Sequence, residues 1–373
     1  MTEPAASDSA AAVETPSPGD IATELGRRVI GQQEAVHEMS IALAKKLAGL
    51  SVGNLLLIGS SGTGKTTLMR AVEKYLEERP DLALRNIVVR MHANVLGEEA
   101  VGGRPGEAIL RRLLDRAREQ LGAETPLPAL IDSARRGIVF VDEVDKIRAW
   151  VGDQPNTNGI RAQEALLTVM ENEAVPFTLP QWAGGDTITV DSSGLLFVCA
   201  GAFEGLYDSV YDRVTIGADR GALKATTVVG DDGNVHEKIV FQLRDWLKNV
   251  DLFDYGMSPQ FLSRYDAVIL LADLTVAELE SIFLRTPDSG FHQARAYFKS
   301  RGIELLLSKK AVRRIAVEAS RESRLGARAL KEVFRRIIRD YEFQPEAHIN
   351  REERQVLLDE TLVEEALEKR QRG

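Results

Sequence analysis

Directly after the apolar run Leu55-Leu56-Leu57-Ile58 the chain reads Gly59-Ser-Ser-Gly-Thr-Gly-Lys65-Thr66 and then turns helical in pattern. This fits G-x-x-x-x-G-K-[ST] in the context where the pattern carries a mechanism, between a strand and a helix. Glycines there let backbone N–H groups close around phosphate oxygens, and the helix N-terminus adds positive potential. Lys65 is placed to reach the β and γ phosphates of a nucleoside triphosphate and Thr66 to hold Mg²⁺, with Ser61, Gly62, Thr63, Gly64 and Thr67 completing the cradle. A loop of this kind needs a strand before it and a helix after it, which is the repeating unit of α/β folds.

The rest of the chain supplies that fold. Ile87-Val88-Val89, Ile138-Val139-Phe140-Val141, Leu195-Leu196-Phe197-Val198 and Ala267-Val268-Ile269-Leu270-Leu271 have the make-up of buried parallel strands. Helical patterns over 108–120 and 161–171 separate several of them, so a doubly wound parallel sheet is expected. Upstream, Val36, Met39, Ile41, Leu43 and Leu47 recur at helical spacing within 21–50. Beyond about 273 helical patterns dominate, at 275–284, 291–298, 311–319 and 327–341, with short strands expected at 303–306 and 355–358. A chain of 373 residues is long enough for two cores. The expected division is a disordered tail over 1–19, rich in Ala, Ser, Pro and acids, a large α/β domain over 20–272, and a small, mainly helical α+β domain over 273–373.

A second chemical element is Gly137-Ile-Val-Phe-Val-Asp142-Glu143, an apolar strand ending in two acids. Beside the phosphate loop, Asp142 can support a magnesium shell while Glu143 polarises the attacking water. Charge growing on the γ phosphate calls for a guanidinium, and Arg264 and Arg328 are candidates by setting: one before the last strand, one opening a helix. Asp plus Glu exceed Lys plus Arg by nine, which argues against a domain built to neutralise nucleic-acid phosphates. The lone Cys199 forms no internal disulfide, no Cys/His group has zinc spacing, and His37, His92, His236, His292 and His348 read as scattered surface or packing residues. With no signal peptide and no run of ~18 apolar residues, a cytoplasmic protein without a membrane segment is expected.

From about Val29 onward these segments resemble the AAA+ ATPases of the ClpX type, with HslU more distant; such proteins are protein-unfolding ring subunits of bacterial proteases. Val29-Ile30-Gly31-Gln32 is similar to the segment that packs on adenine, 137–146 to the Walker B strand, and 195–203 to the strand carrying sensor 1. Ser258-Pro-Gln-Phe-Leu-Ser-Arg264 looks like the stretch whose arginine enters the neighbouring subunit's site, and Leu325-Gly-Ala-Arg328 like the sensor-2 helix that acts in cis. The resemblance implies ATP with Mg²⁺, a homo-oligomeric ring, hexameric in the family, and a protein client. No sensor-1 residue is assigned, because Cys199 offers only a weak thiol donor.

Departures from the family pattern narrow the expectation. The N-terminal zinc module is not expected from a chain with one cysteine. Val101 stands where the family's gripping loop has an aromatic ring, and it offers far less contact area. The loops carrying Trp150 and Trp182 also differ, and either ring could grip a client or pack on its own loop. Ile216-Gly217-Ala218 lacks the phenylalanine of the peptidase-docking tripeptide, so docking to a ClpP-type peptidase is not expected. The resulting expectation is an ATP-driven remodeller of a restricted protein client, without a peptidase. The alternatives are an assembly switch set by ATP binding and a nucleic-acid-handling loader, the latter opposed by the acidic charge.

Overall fold

The computed structural model describes residues 15–83, 87–99, 104–171, 174–216, 225–229, 235–239, 241, 243–322, 325–347 and 354–368. Five parallel strands form the central sheet: β1 (Asn54–Ile58), β2 (Val88–His92), β3 (Ile138–Asp142), β4 (Leu196–Gly201) and β5 (Tyr265–Leu270), in the order β5-β1-β4-β3-β2. Alternation along each strand fills both faces. Leu55, Leu57, Ile138, Phe140, Leu196 and Val198 enter one core, whereas Leu56, Ile58, Val139, Val141, Phe197 and Cys199 enter the other. A sheet covered on both sides has no polar face to show, which is why its strands read as unbroken apolar runs.

Helices cover the two faces. Those used below are α1 (Pro18–Gly26), α2 (Gln33–Leu47), α3 (Lys65–Glu77), α4 (Glu107–Leu121), α5 (Thr157–Glu171) and α6 (Ala327–Phe343). The tail expected over 1–19 gives way to structure earlier than its composition suggests; its residues 1–14 lie outside the described ones. Ser17 caps α1 by accepting the Asp20 N–H, Pro18 sits in the first turn, and Ile21 and Leu25 are both fully buried. A cap and two buried anchors thus start a helix where apolar residues are otherwise sparse.

Strand ends also shift. β2 continues through Arg90, Met91 and His92, and β4 through Cys199, Ala200 and Gly201, because backbone pairing with neighbours persists after the most apolar residues end. Among the described residues three antiparallel strand pairs lie outside the central sheet: Trp150–Val151 with Gln154–Pro155, Val175–Thr178 with Thr187–Val190, and Ala225–Val229 with Val235–Ile239. A third apolar cluster, drawn from residues between Leu279 and Leu367, packs around α6 and the parallel pair β6 (Glu304–Leu307) and β7 (Gln355–Leu358). The carboxyl ends of β1, β2, β3 and β4 meet at one rim, and the chemistry gathers there.

Candidate nucleotide site

The loop after β1 is bent by Gly62 (φ 73°) and Gly64 (φ 109°), left-handed values that a side chain resists, and α3 begins at once with Lys65. Lys65 is 7 % exposed, and its Nζ donates to the carbonyls of Gly59 and, at 2.8 Å, Ser60. Burial pulls its pKa down to about 8, opposed by the carboxylates of Asp142 and Asp145 and assisted by the Arg328 guanidinium. Thr63, also buried, closes the loop by donating its hydroxyl to the Ser60 carbonyl at 2.9 Å. Thr67 points outward from the first turn of α3.

Asp142 ends β3 facing this loop. Its Oδ2 accepts the Thr66 hydroxyl at 2.9 Å, and its Oδ1 accepts the Glu143 N–H at 2.9 Å. A hydroxyl and a carboxylate brought together at a helix N-terminus are oxygen donors of the kind Mg²⁺ takes. Among the described residues no three His, Cys, Asp or Glu gather into a metal cage. A magnesium ion here would therefore draw most of its shell from phosphate oxygens and water, as this cation usually does.

Glu143 occupies φ 60°, ψ 37°, a left-handed conformation uncommon for a residue with a side chain. Such local strain is often kept where a side chain must be aimed. Its Oε2 lies 3.6 Å from Nδ1 of His92, which stands opposite Asp142 in the β2–β3 register. His92 is a surface residue as its sequence setting suggests, with its side chain 65 % exposed, and strand pairing brings it beside the acids. Asp145, 1 % exposed, accepts the Ala202 N–H at 3.0 Å and ties the turn after Glu143 to the end of β4; among the described residues its second oxygen has no hydrogen bond, and it lies 3.5 Å from Lys146 Nζ. Cys199 is wholly buried, and burial pushes its thiol up to about 12, so it offers no charge to the site.

The C-terminal part of the chain closes over the loop from the other side. Gly326 (φ 51°) lies so near that a Cβ on it would sit 2.7 Å from the Ser61 carbonyl oxygen. The Ala327 N–H donates to the Gly62 carbonyl at 3.1 Å, and Arg328 NH1 donates to Ser61 Oγ at 2.6 Å. Two helix N-termini, those of α3 and α6, therefore converge on the same few residues and add positive potential there. Nearby, the buried Gln32 clamps Ala272: its amide donates to the carbonyl at 2.8 Å and accepts the N–H at 3.1 Å. Val29 is buried among Ile21, Leu25 and their neighbours, and Ile30 beside it stays partly exposed.

Arg264 lies elsewhere. It precedes β5, and Asn54 at the start of the adjacent parallel β1 donates to its carbonyl at 3.0 Å, so it belongs to the pole of the sheet opposite the phosphate loop. Five strand residues at ~3.3 Å each put roughly 17 Å between the two poles, more than one side chain spans. Its guanidinium pairs instead with Glu171 at 2.5 Å. Trp182 donates its indole N–H to Asp115 at 3.2 Å, and Arg118 stacks over its ring at 4.3 Å, both partners on α4. Among the described residues Trp150 has no such seat: it is 53 % exposed on its hairpin, beside Val151 at 50 %. Val101 lies outside the described residues, as do Gly217 and Ala218, while Ile216 ends its helix 81 % exposed.

Residues 55–210 match the family described as ATPase family associated with various cellular activities (AAA). The chain is 29 % identical over 351 residues to the ATP-dependent Clp protease ATP-binding subunit ClpX of Bacteroides thetaiotaomicron, spanning 89 % of this chain and 78 % of that protein. It is likewise 29 % identical to ClpX 3 of Methylococcus capsulatus, over 87 % of this chain and 75 % of that one. To ClpX of Treponema denticola it is 26 % identical, over 88 % and 77 % respectively. These similarities run through the phosphate loop and the paired acids, and the sheet order places both at one rim. Residues 55–210 thus carry an AAA ATPase domain, and most of the chain's length is similar to ClpX.

Proposed function

We propose that this ATPase works as a homo-oligomeric ring, hexameric as the resemblance implies, that unfolds or remodels a restricted protein client in the cytoplasm without a ClpP-type peptidase. The observation that carries the ring is the position of Arg264, at the pole opposite its own phosphate loop and exposed there. Such an arginine can serve a triphosphate only on another copy. The division into a large domain over 20–272 and a small one over 273–373 is supported by the separate apolar cluster between Leu279 and Leu367. Among the described residues no helix is long and apolar enough to cross a membrane.

In this reading the loop N–H groups and Lys65 hold the triphosphate, and Val29 and Ile30 border the base. Magnesium, when bound, offsets phosphate charge, with Thr66 as its protein donor and Asp142 behind it. Glu143 orients the water and takes its proton. Arg328, anchored to Ser61, reports on the phosphates from the same chain, and Arg264 of the adjacent copy meets the charge that develops at the γ phosphate.

Support for a protein client comes from the hairpin at Trp150 and Val151. It projects two exposed apolar side chains between the turn after Glu143 and the start of α5, so a push on it is a push on the hydrolytic acids. Trp182, seated on Asp115 and Arg118, is the weaker gripping candidate, and Val101 remains one by position in the sequence alone. The absence of a phenylalanine after Ile216-Gly217 supports a motor without a peptidase. The test is to capture proteins on the Glu143→Gln variant in ATP and add each back to the unmodified ring. A remodeller's ATPase rate rises with its client. A rate indifferent to every captured protein supports the assembly switch instead, and salt-sensitive binding to single-stranded DNA supports the loader.

A further inference from the structure

α5 ends on Glu171, an acid at the carbonyl end of a helix, where the helix dipole disfavours negative charge. Its placement has a local reason, since the carboxylate lies 2.5 Å from Arg264 NH2. Two turns earlier on the same helix Gln163 is 2 % exposed and fully engaged. Its amide donates to the Ile147 carbonyl at 2.7 Å and the Gly256 carbonyl at 3.2 Å, while its oxygen accepts the Ser258 N–H at 2.9 Å. Ile147 closes the turn that begins at Glu143. Ser258 caps the short helix Pro259–Leu262, which leads straight into Arg264. A single helix therefore touches the turn after Glu143 and, at its far end, the exposed arginine at the opposite pole of the sheet.

We propose that Glu171 and Gln163 are positioning residues for hydrolysis: Glu171 holds the Arg264 guanidinium in the direction from which it meets the neighbour's γ phosphate, and Gln163 ties the segment bearing that arginine to the turn after Glu143. Each site's state thereby sets how well its copy serves the next one. The inference rests on the reading that Arg264 acts across a subunit boundary. Exposed ion pairs of this kind contribute little to stability, so what the Glu171–Arg264 pair supplies is direction. A guanidinium left to wander loses rate because misplacement by about 1 Å costs on the order of 100-fold in a reaction that depends on geometry.

The test is steady-state ATP hydrolysis by assembled rings of Glu171→Gln and Glu171→Asp. The first should lose about tenfold or more in kcat with KM for ATP within about twofold, and the second, which keeps the charge, should recover part of it. Mixing Glu171→Gln with Glu143→Gln subunits, which present an intact arginine but cannot turn over, should raise the rate per competent site. Gln163→Met should bring the Hill coefficient for ATP toward 1. An unchanged kcat in Glu171→Gln, no gain on mixing, or loss of rings in place of slowed turnover overturns the proposal, as does an unchanged Hill coefficient for the coupling through Gln163. Arg264→Ala, assayed alongside, separates the two levels: if it hydrolyses ATP normally the underlying reading fails, and if it alone is inactive only the roles of Glu171 and Gln163 fall.

Discussion

Replacing Gly326 by alanine tests how the C-terminal part of the chain is seated on the phosphate loop. Gly326 adopts φ 51°, ψ −134°, and an added Cβ would lie 2.7 Å from the Ser61 oxygen and 2.8 Å from the Gly62 carbonyl carbon and oxygen. Those are backbone atoms of a loop whose own glycine faces the same restriction: a Cβ on Gly62 would meet the Leu325 oxygen at 2.2 Å. Neither side can yield by rotating a side chain, so the start of α6 must move away. Forcing alanine into this conformation costs about 1–3 kcal/mol, and losing the hydrogen bond from Ala327 to Gly62 about 1 more. The apolar cluster around α6 does not include residue 326, so the penalty falls on seating rather than folding. A triphosphate that needs α6 in place should then bind about 30- to 1,000-fold more weakly, at about 1.4 kcal/mol per tenfold. The assay is equilibrium titration of a fluorescent ATP analogue into Gly326→Ala in the Glu143→Gln background, with thermal unfolding alongside. Binding within about threefold of the parent would refute the role given to this contact.

Further outcomes follow from individual side chains. Lys65→Ala should abolish magnesium-ATP binding, whereas Glu143→Gln should bind normally and fail to hydrolyse; normal turnover in the second variant would remove Glu143 from its role. Lys46 is 8 % exposed, donates to the Gly194 carbonyl, and has its pKa lowered to about 8, first by burial and then by Arg136. Its proton is held less tightly folded than unfolded, so stability should be flat in this respect below about pH 8 and rise as pH increases toward the unfolded value of 10.5. Lys46→Met should remove that part of the rise, read from denaturation midpoints at about pH 7.5 and 9.5. Trp182→Ala should cost about 1–2 kcal/mol through its lost Arg118 stacking and Asp115 hydrogen bond. Trp150→Ala should cost under about 0.5 kcal/mol in the same unfolding assay, while weakening stimulation by a client.

What the sequence disclosed and what it hid divide along contact range. The phosphate loop was legible because its eight residues are contiguous and its neighbours on either side are a strand and a helix. Asp142 and Glu143 stood out because they cap an apolar run, and the burial of Ile138 and Phe140 in one core against Val139 and Val141 in the other explains why that run is unbroken. The place of His92 beside the acids was not visible: only the register of β2 on β3 sets it opposite Asp142, 50 positions away. Trp182 could not be sorted between gripping and packing because its partner Asp115 is 67 residues distant. Gln163, fully buried with three backbone partners at Ile147, Gly256 and Ser258, carries no local sign of importance in a helix of ordinary composition. The start of α1 was misplaced because a tail's average composition masked the Ser17-Pro18 cap.

The central claim is that one catalytic site is assembled from two copies, with Lys65, Thr66, Asp142 and Glu143 from one and Arg264 from the next. The most direct measurement mixes Arg264→Ala subunits with Lys65→Ala subunits and follows ATP hydrolysis across mixing ratios. Each variant alone should be inactive, and mixed rings should regain turnover at sites where an intact phosphate loop meets an intact arginine. Turnover that stays at background at every ratio, with mixed rings shown to form, would contradict the claim.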